Sequence, residues 1–294
     1  MSIDVKNNKL LQLIDGDAKV EKIATGCQFT EGPVWHAQGE FLLFSDIPAN
    51  QMKKWTPTDG LTDFRVPSGK SNGLTYDKQG HLIACEHANR RVSRTTADGV
   101  VMTIASHYNG KRLNSPNDVV VKSNGSIYFT DPPYGLTTAF GQESQQELNF
   151  QGVYRLSPDG QTLTLLIDDF YRPNGLCFSP DESILYINDT ERMHVRAFDV
   201  QPDGTIANGR TFAEESGEGG KPDGMKVDTL GNVYVTGPSG SWVFDTAGAH
   251  LGTIRTPERA ANLGWGGDSW RTLFITATTS LYRVPCKVSG IAVP

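Results

Sequence analysis

The chain has 294 residues, 20% of them charged and 37% hydrophobic, with a formal net charge of −6. No Lys/Arg run exceeds two residues, which argues against nucleic acid or an anionic membrane as partner, and no apolar stretch approaches the roughly 18 residues of a membrane span. The 31 Gly and 16 Pro in an otherwise ordinary composition favour many short strands over long helices.

Residues 1–17 read as an N-terminal extension ahead of one domain covering 18–294. They carry neither a basic n-region nor an apolar core of about 7–15 residues, so they are not read as a secretory leader, and cytoplasm is the expected location. A strand-like run follows, KVEKIAT at 19–25. Then six segments begin on an oxygen-bearing residue and run into a short apolar strand: Glu31 (EGPVW), Asn72 (NGLTYD), Asn117 (NDVVV), Asn174 (NGLCFS), Asp223 (DGMKVD) and Asn262 (NLGWGGD). The intervals are 41, 45, 57, 49 and 39 residues. Each start is followed by a second strand (FLLFSD, HLIACE, SIYFTD, ILYIND, NVYVTG, TLFITA), then by a third, and in several repeats by a fainter fourth such as TDFRV, VVMTIA and TLTLLID.

Repeats of about 40–50 residues with three or four strands each predict propeller blades. The fold class expected is all-β: a six-bladed β-propeller of about four antiparallel strands per blade. A β-sandwich of similar strand density is the alternative. Because the sixth repeat ends short and sheet edges need cover, residues 19–25 are expected to close the last blade. The longest interval contains the polar stretch 132–151, which is placed as a loop over one mouth of the channel. The four cysteines, Cys27, Cys85, Cys177 and Cys286, are scattered without a C-x-x-C pair and indicate neither a zinc knuckle nor a disulfide framework.

First strands line a propeller's channel and run in one direction, so Glu31, Asn72, Asn117, Asn174, Asp223 and Asn262 should converge on one level. Six side-chain oxygens, two of them carboxylates, suit an oxygen-preferring divalent cation such as Ca²⁺. Asn-Gly and Asp-Gly are also common turn dipeptides, and Asn72, Asn174 and Asp223 taken singly read as turns. Glu31 fits no turn and shares their phase in the repeat.

On TEGPVW (30–35), CEHANRRVSR (85–94), RLNSPNDVVV (112–121), IYFTDPPYGL (127–136), RPNGLCFSPD (172–181) and KPDGMKVD (221–228), the chain resembles the senescence-marker-protein/gluconolactonase (regucalcin-like) family, in its microbial gluconolactonase branch. The resemblance runs from about Ala18 to about Val284. It implies one divalent metal on Glu31, Asn174 and Asp223, with Asn117 on or beside it and near the substrate. Ca²⁺ is the first expectation, with Zn²⁺, Mn²⁺, Mg²⁺ or Fe²⁺ as alternatives. It carries no ligand role to Asn72 or Asn262. Animal members place an Arg two residues before the ND asparagine; here that position is Ser115. Arg112, Glu86, His87 and Tyr134 are therefore candidate substrate contacts alongside Ser115, against a plainer reading of Glu86 and His87 as satisfied blade-mouth positions and of Tyr134 as a loop anchor.

A metal on protein oxygens polarises a lactone carbonyl, and Asp223, with Asn117 beside it, is the expected catalytic group acting as general base. Metal coordination would weaken it in that role. The activity implied is hydrolysis of a sugar lactone such as glucono-1,5-lactone, a small-molecule partner. An organophosphate hydrolase of the diisopropyl-fluorophosphatase type and a non-catalytic binding propeller are the competing readings; none of the five Trp is followed by the Asp of a WD repeat. Two motifs are decoys. Gly69-Lys70-Ser71-Asn72-Gly73 matches the nucleophile elbow but precedes strands rather than a helix. SGEGGKPDG (216–224) lacks the Ser/Thr and the helix of a phosphate loop.

Overall fold

The computed structural model describes residues 2–293 and arranges six sheets around one channel. Blade 1 is formed by Thr30–His36, Phe41–Asp46, Gln51–Thr56 and Gly60–Arg65, hydrogen-bonded in chain order from the channel outwards. Blades 2, 3 and 4 repeat this plan, with inner strands Ser71–Tyr76, Val119–Val121 and Pro173–Phe178. Inner strands Met225–Val227 and Ala260–Gly266 head blades 5 and 6. Blades 3 and 5 begin their regular strand two residues after Asn117 and Asp223, which therefore stand on the approach to the strand.

Blade 6 takes its outer strand from the other end of the chain. Glu21–Thr25 pairs antiparallel with Ser280–Pro285, Glu21 opposite Arg283 and Thr25 opposite Ser280, so the ring is closed as the early strand predicts. Further upstream, Ile3–Val5 adds a fifth strand to blade 5 against His250–Arg255. The one-turn helix Leu10–Leu13 buries Leu10 and Leu13 against Tyr234, Leu251, Leu263 and Tyr282 between blades 5 and 6. Buried aliphatic side chains of this kind contribute about 1.5–3 kcal/mol each, which seals residues 3–14 onto the propeller.

The core lies between blades. Ile83, Cys85 and Val92 of blade 2 pack on Val119, Ile127, Phe129 and Tyr154 of blade 3. Second strands are buried on both faces and read as continuous apolar runs. All four cysteines are buried and free, and burial pushes the Cys27, Cys177 and Cys286 thiols up to about 12. No helix among the described residues is long and apolar enough to cross a membrane.

Second strands also carry the devices that fix the channel. Ser45 Oγ donates to Asn72 O at 2.8 Å, Thr130 Oγ1 to Asn174 O at 2.8 Å, Asn188 Nδ2 to Asp223 O at 2.5 Å and Thr236 Oγ1 to Ala261 O at 3.1 Å. Blades 1, 3, 4 and 5 thus grip the head of the next inner strand.

Candidate active site

The glycines after Asn174 and Asp223 are not turn residues. Gly175 and Gly224 keep φ outside the left-handed region, and what they provide is closeness. A Cβ on Gly175 would stand 2.2 Å from the Asp223 carbonyl oxygen, and one on Gly224 would stand 2.0 Å from the Asn262 side chain. Backbone bonds use that space: Gly175 N donates to Asp223 O at 3.0 Å, Gly73 N to Asn117 O at 2.8 Å and Gly224 N to Ala261 O at 2.7 Å. Neighbouring inner strands therefore touch at their heads, which forces the preceding side chains together.

The side chains so gathered form two hydrogen-bonded arcs around the channel. Asn72 Nδ2 donates to Asn117 Oδ1 at 2.6 Å, and Asn117 Nδ2 to Asn174 Oδ1 at 2.5 Å. Asn174 Nδ2 donates to Thr190 Oγ1 at 3.0 Å, and that hydroxyl donates to Pro222 O at 2.8 Å. On the other side, Asn262 Nδ2 and Gly32 N both donate to Glu31 Oε2 at 2.9 Å. Leu263 N holds Asn262 Oδ1 at 2.8 Å, which fixes the amide orientation. Glu31, Asn117 and Asn174 are each at most 4% exposed and Asp223 8%.

Burial raises the Asp223 carboxyl well above the usual carboxylate range, and the nearby Glu31 charge raises it further. Burial likewise raises Glu31, against the lowering effect of its Asn262 and Gly32 bonds, and Asp118 adds to the rise. Asn72 Oδ1 is buried with no hydrogen-bond partner among the described residues. Two desolvated carboxylates, amide oxygens and an orphaned acceptor form a donor set that fits a hard divalent cation. No cluster of three His, Cys, Asp or Glu occurs among the described residues, because the ring's remaining donors are amides.

A cavity of about 300 Å³ opens above this ring. Glu31, Asn72, Asn117, Asn174 and Asp223 form its floor, and Phe29, Ile47, His87, Tyr134, Phe140, Thr190, Glu191, Lys221 and Arg259 complete the lining. The 132–150 segment folds over this mouth: Lys70 Nζ donates to Thr138 O at 2.7 Å, and Phe140 meets Phe29 edge-on with ring centres 5.3 Å apart.

Among the candidate substrate contacts, His87 and Tyr134 reach the cavity. His87 Nδ1 faces Phe140 O at 3.1 Å and so carries the proton; burial pushes the ring down to about 4, leaving it neutral with Nε2 accepting from Asn72 Nδ2 at 3.4 Å. Glu86, Ser115 and Arg112 lie outside the lining. Glu86 stands in the same blade position as Asp46, Asp131 and Asp189, which accept the backbone N–H groups of Phe29, Asn114 and Tyr171. It anchors its own blade mouth by accepting from Ser93 Oγ at 2.6 Å and Arg91 Nε at 2.7 Å. Ser115 is fully buried, donating to Pro132 O at 2.5 Å and accepting from Gly135 N at 2.9 Å, which pins the loop. Arg112 sits on the Lys111–Arg112 hairpin with Nη2 on Asn89 O at 2.6 Å.

Sequence reasoning missed Lys221 and Arg259. A usable signal existed: Lys221 lies two residues before Asp223 and Arg259 three before Asn262, both on segments entering the ring. Ser71, the would-be elbow serine, lies in the strand Ser71–Tyr76 with its hydroxyl on Ser45 Oγ at 2.8 Å, and no helix follows it.

The SMP-30/Gluconolactonase/LRE-like region matches residues 29–279. The gluconolactonase of Zymomonas mobilis is 36% identical across 96% of this chain and 85% of its own length. The pentonolactonase XacC of Haloferax volcanii is 28% identical across 86% and 83%. A solved gluconolactonase from Xanthomonas campestris superposes with a TM-score of 0.90 at 36% identity, covering 97% of this chain and 94% of its own. With a propeller of this closure and a polar ring at the heads of its inner strands, and with that match over most of its length, the chain belongs to the SMP-30/gluconolactonase/LRE-like family.

Proposed function

We propose that this chain is a metal-dependent lactonase that opens the ring ester of an aldonolactone, such as glucono-1,5-lactone, to the hydroxy acid. The observation that carries the reading is the buried pair Glu31 and Asp223, brought together with the amide oxygens of Asn117 and Asn174 under a cavity of about 300 Å³. That volume is at the small end of ligand pockets and suits a single sugar ring. The lactonase names of the two curated relatives support the substrate class.

Glu31, Asn174 and Asp223 would hold the divalent ion, with Asn117 beside it; once bound, it supplies Lewis-acid polarisation of the lactone carbonyl. The chain's own groups do the rest. Asn262 and Gly32 orient Glu31, and Thr190 orients Asn174. Asp223 accepts the proton of the attacking water as the water oxygen bonds the carbonyl carbon. The ring C–O bond then breaks and the proton passes to the departing alkoxide, giving a hydroxyl and a carboxylic acid, which ionises to the carboxylate by releasing its remaining proton to solvent. Phe29, Phe140 and Tyr134 wall the site and exclude bulk water. His87, neutral, supports the Asn72–Asn117 pair.

The test is a pH-stat panel of gluconolactone, xylonolactone, an aliphatic lactone and an organophosphate, each with Ca²⁺, Zn²⁺, Mn²⁺, Mg²⁺ or Fe²⁺. Sugar lactones should be opened fastest, and activity should vanish on chelation and return with metal. Full activity in protein proved metal-free by elemental analysis, or faster turnover of the organophosphate than of any lactone, would overturn the reading.

A further inference from the structure

Three acidic side chains and two cations line the cavity above the ring, and the two cations differ in what they are tied to. Lys221 is neutralised by Glu191, Nζ to Oε2 at 2.6 Å. Arg259 is exposed, and among the described residues its guanidinium has no acceptor; its one hydrogen bond is at the backbone oxygen, from Thr278 Oγ1 at 3.3 Å.

The acid next to it in sequence is already spent. Glu258 accepts from Lys22 Nζ at 2.9 Å, Thr279 N and Oγ1 at 2.8 Å, Ser280 Oγ at 2.6 Å and Tyr282 OH at 2.7 Å. Five donors saturate that carboxylate and clamp the 256–259 turn onto blade 6. Arg259 is thereby presented from a fixed platform without an internal partner. Its place is specific too. Gly224 N bonds Ala261 O at 2.7 Å and Thr30 N bonds Thr278 O at 2.8 Å, so the segment around Arg259 is stitched both to the strand head carrying Asp223 and to the one carrying Glu31.

A neutral lactone has no need of an unpaired cation here. Opening it creates a carboxylate at the former carbonyl carbon, a negative charge that the neutral substrate did not carry. A planar guanidinium with free donors matches a carboxylate in charge and in bidentate geometry, where an ammonium supplies only a point charge. We propose that Arg259 is a product-binding residue that takes up the carboxylate formed on ring opening, so that the cavity contains a carboxylate site distinct from the metal-holding floor. This inference rests on the lactonase reading for its ligand, the open-chain aldonate.

The experiment is calorimetric titration of sodium gluconate into the full chain in saturating Ca²⁺, for wild type, Arg259→Gln and Arg259→Lys, with gluconate inhibition of lactone opening measured alongside. Because the guanidinium is exposed and unbonded, neither substitution removes a fold contact, and equal thermal melting of the three proteins is the check. Arg259→Gln should weaken gluconate binding about tenfold or more, and Arg259→Lys should recover only part of the loss. Gluconate binding that is equal in wild type and Arg259→Gln, or undetectable in wild type, overturns the proposal. If wild type opens no lactone in the substrate panel, the functional reading falls separately, and the titration still decides Arg259: Arg-dependent binding keeps the carboxylate site and Arg-independent binding removes it.

Discussion

The same six inner strands build both ends of the channel, and the two ends have opposite characters. At the head end, side chains from Glu31 to Asn262 form a buried polar ring under a cavity of about 300 Å³. Two to four residues further along the strands, Val34, Leu74, Val119, Cys177, Val227 and Trp265 line a larger cavity of about 520 Å³ at the opposite end, with Ile291–Val293 of the C-terminal segment on its wall. Size does not choose between the two ends. Chemistry follows the place where polar groups are desolvated and held by neighbours, because there an added charge or polarised carbonyl is worth most. The far cavity is walled by apolar side chains together with Lys78, Asp181, Glu182 and Lys226, of which Glu182 and Asp181 are already engaged by Lys122 and Ser183.

The sharpest way to break this contrast lies at the head end. Asp223→Asn keeps an amide oxygen for coordination, so metal affinity should fall by a modest factor while kcat at saturating metal falls about 10²–10⁴-fold. Glu31→Gln should do the reverse, weakening metal binding with kcat largely restored at saturation. Steady-state kinetics with calorimetric metal titrations decide it; near wild-type kcat in metal-saturated Asp223→Asn would leave Asp223 a ligand only.

At the far end, Leu74→Ala should cost stability alone, about 2–5 kcal/mol, with kcat/KM unchanged for the folded protein. Denaturant unfolding beside kinetics reads both, and a kinetic defect as large as at Asp223 would erase the distinction between the ends.

Gly175→Ala lies between the two regimes. The added methyl meets the Asp223 carbonyl at 2.2 Å, so a loss of about 1–3 kcal/mol should come with weaker metal binding, since the strand heads must part. Stability loss without any change in metal affinity would mean that the close approach serves the fold only.

The smallest effect concerns the platform under Arg259. Although desolvation raises Glu258, its bonds from Ser280, Lys22, Tyr282 and Thr279 pull it down to about 2, below an ordinary 4.5. A depressed carboxylate contributes stability that is complete above the unfolded value and lost as pH falls through the folded one. The Tm gap between wild type and Glu258→Gln should therefore be full at neutral pH and narrow as the pH drops from about 4.5 toward 2. A gap that widens in acid would contradict the hydrogen-bonded anion.

Much of this architecture was legible in the chain itself. Period and strand chemistry are local properties, so six repeats, their inner-strand heads and the closing strand at 19–25 could be read from residue order, and Glu31, out of place in any turn, marked the ring. What residue order could not reveal is what each polar group is spent on. Glu86 and Arg112 looked available beside the motifs, yet Ser93, Arg91 and the Asn89 carbonyl already engage them. Ser115 looked like a vacant contact and is a buried pin for the loop. Asn-Gly and Asp-Gly looked like turns, while Gly175 and Gly224 serve close approach between strands about 40–50 residues apart in the chain. Arg259 carried no motif, and its freedom follows from Glu258 being saturated by residues on two other segments, Lys22 and 279–282. Hydrogen-bond satisfaction and steric clearance belong to groups brought together by the closed ring of blades, and only the tertiary structure decides them.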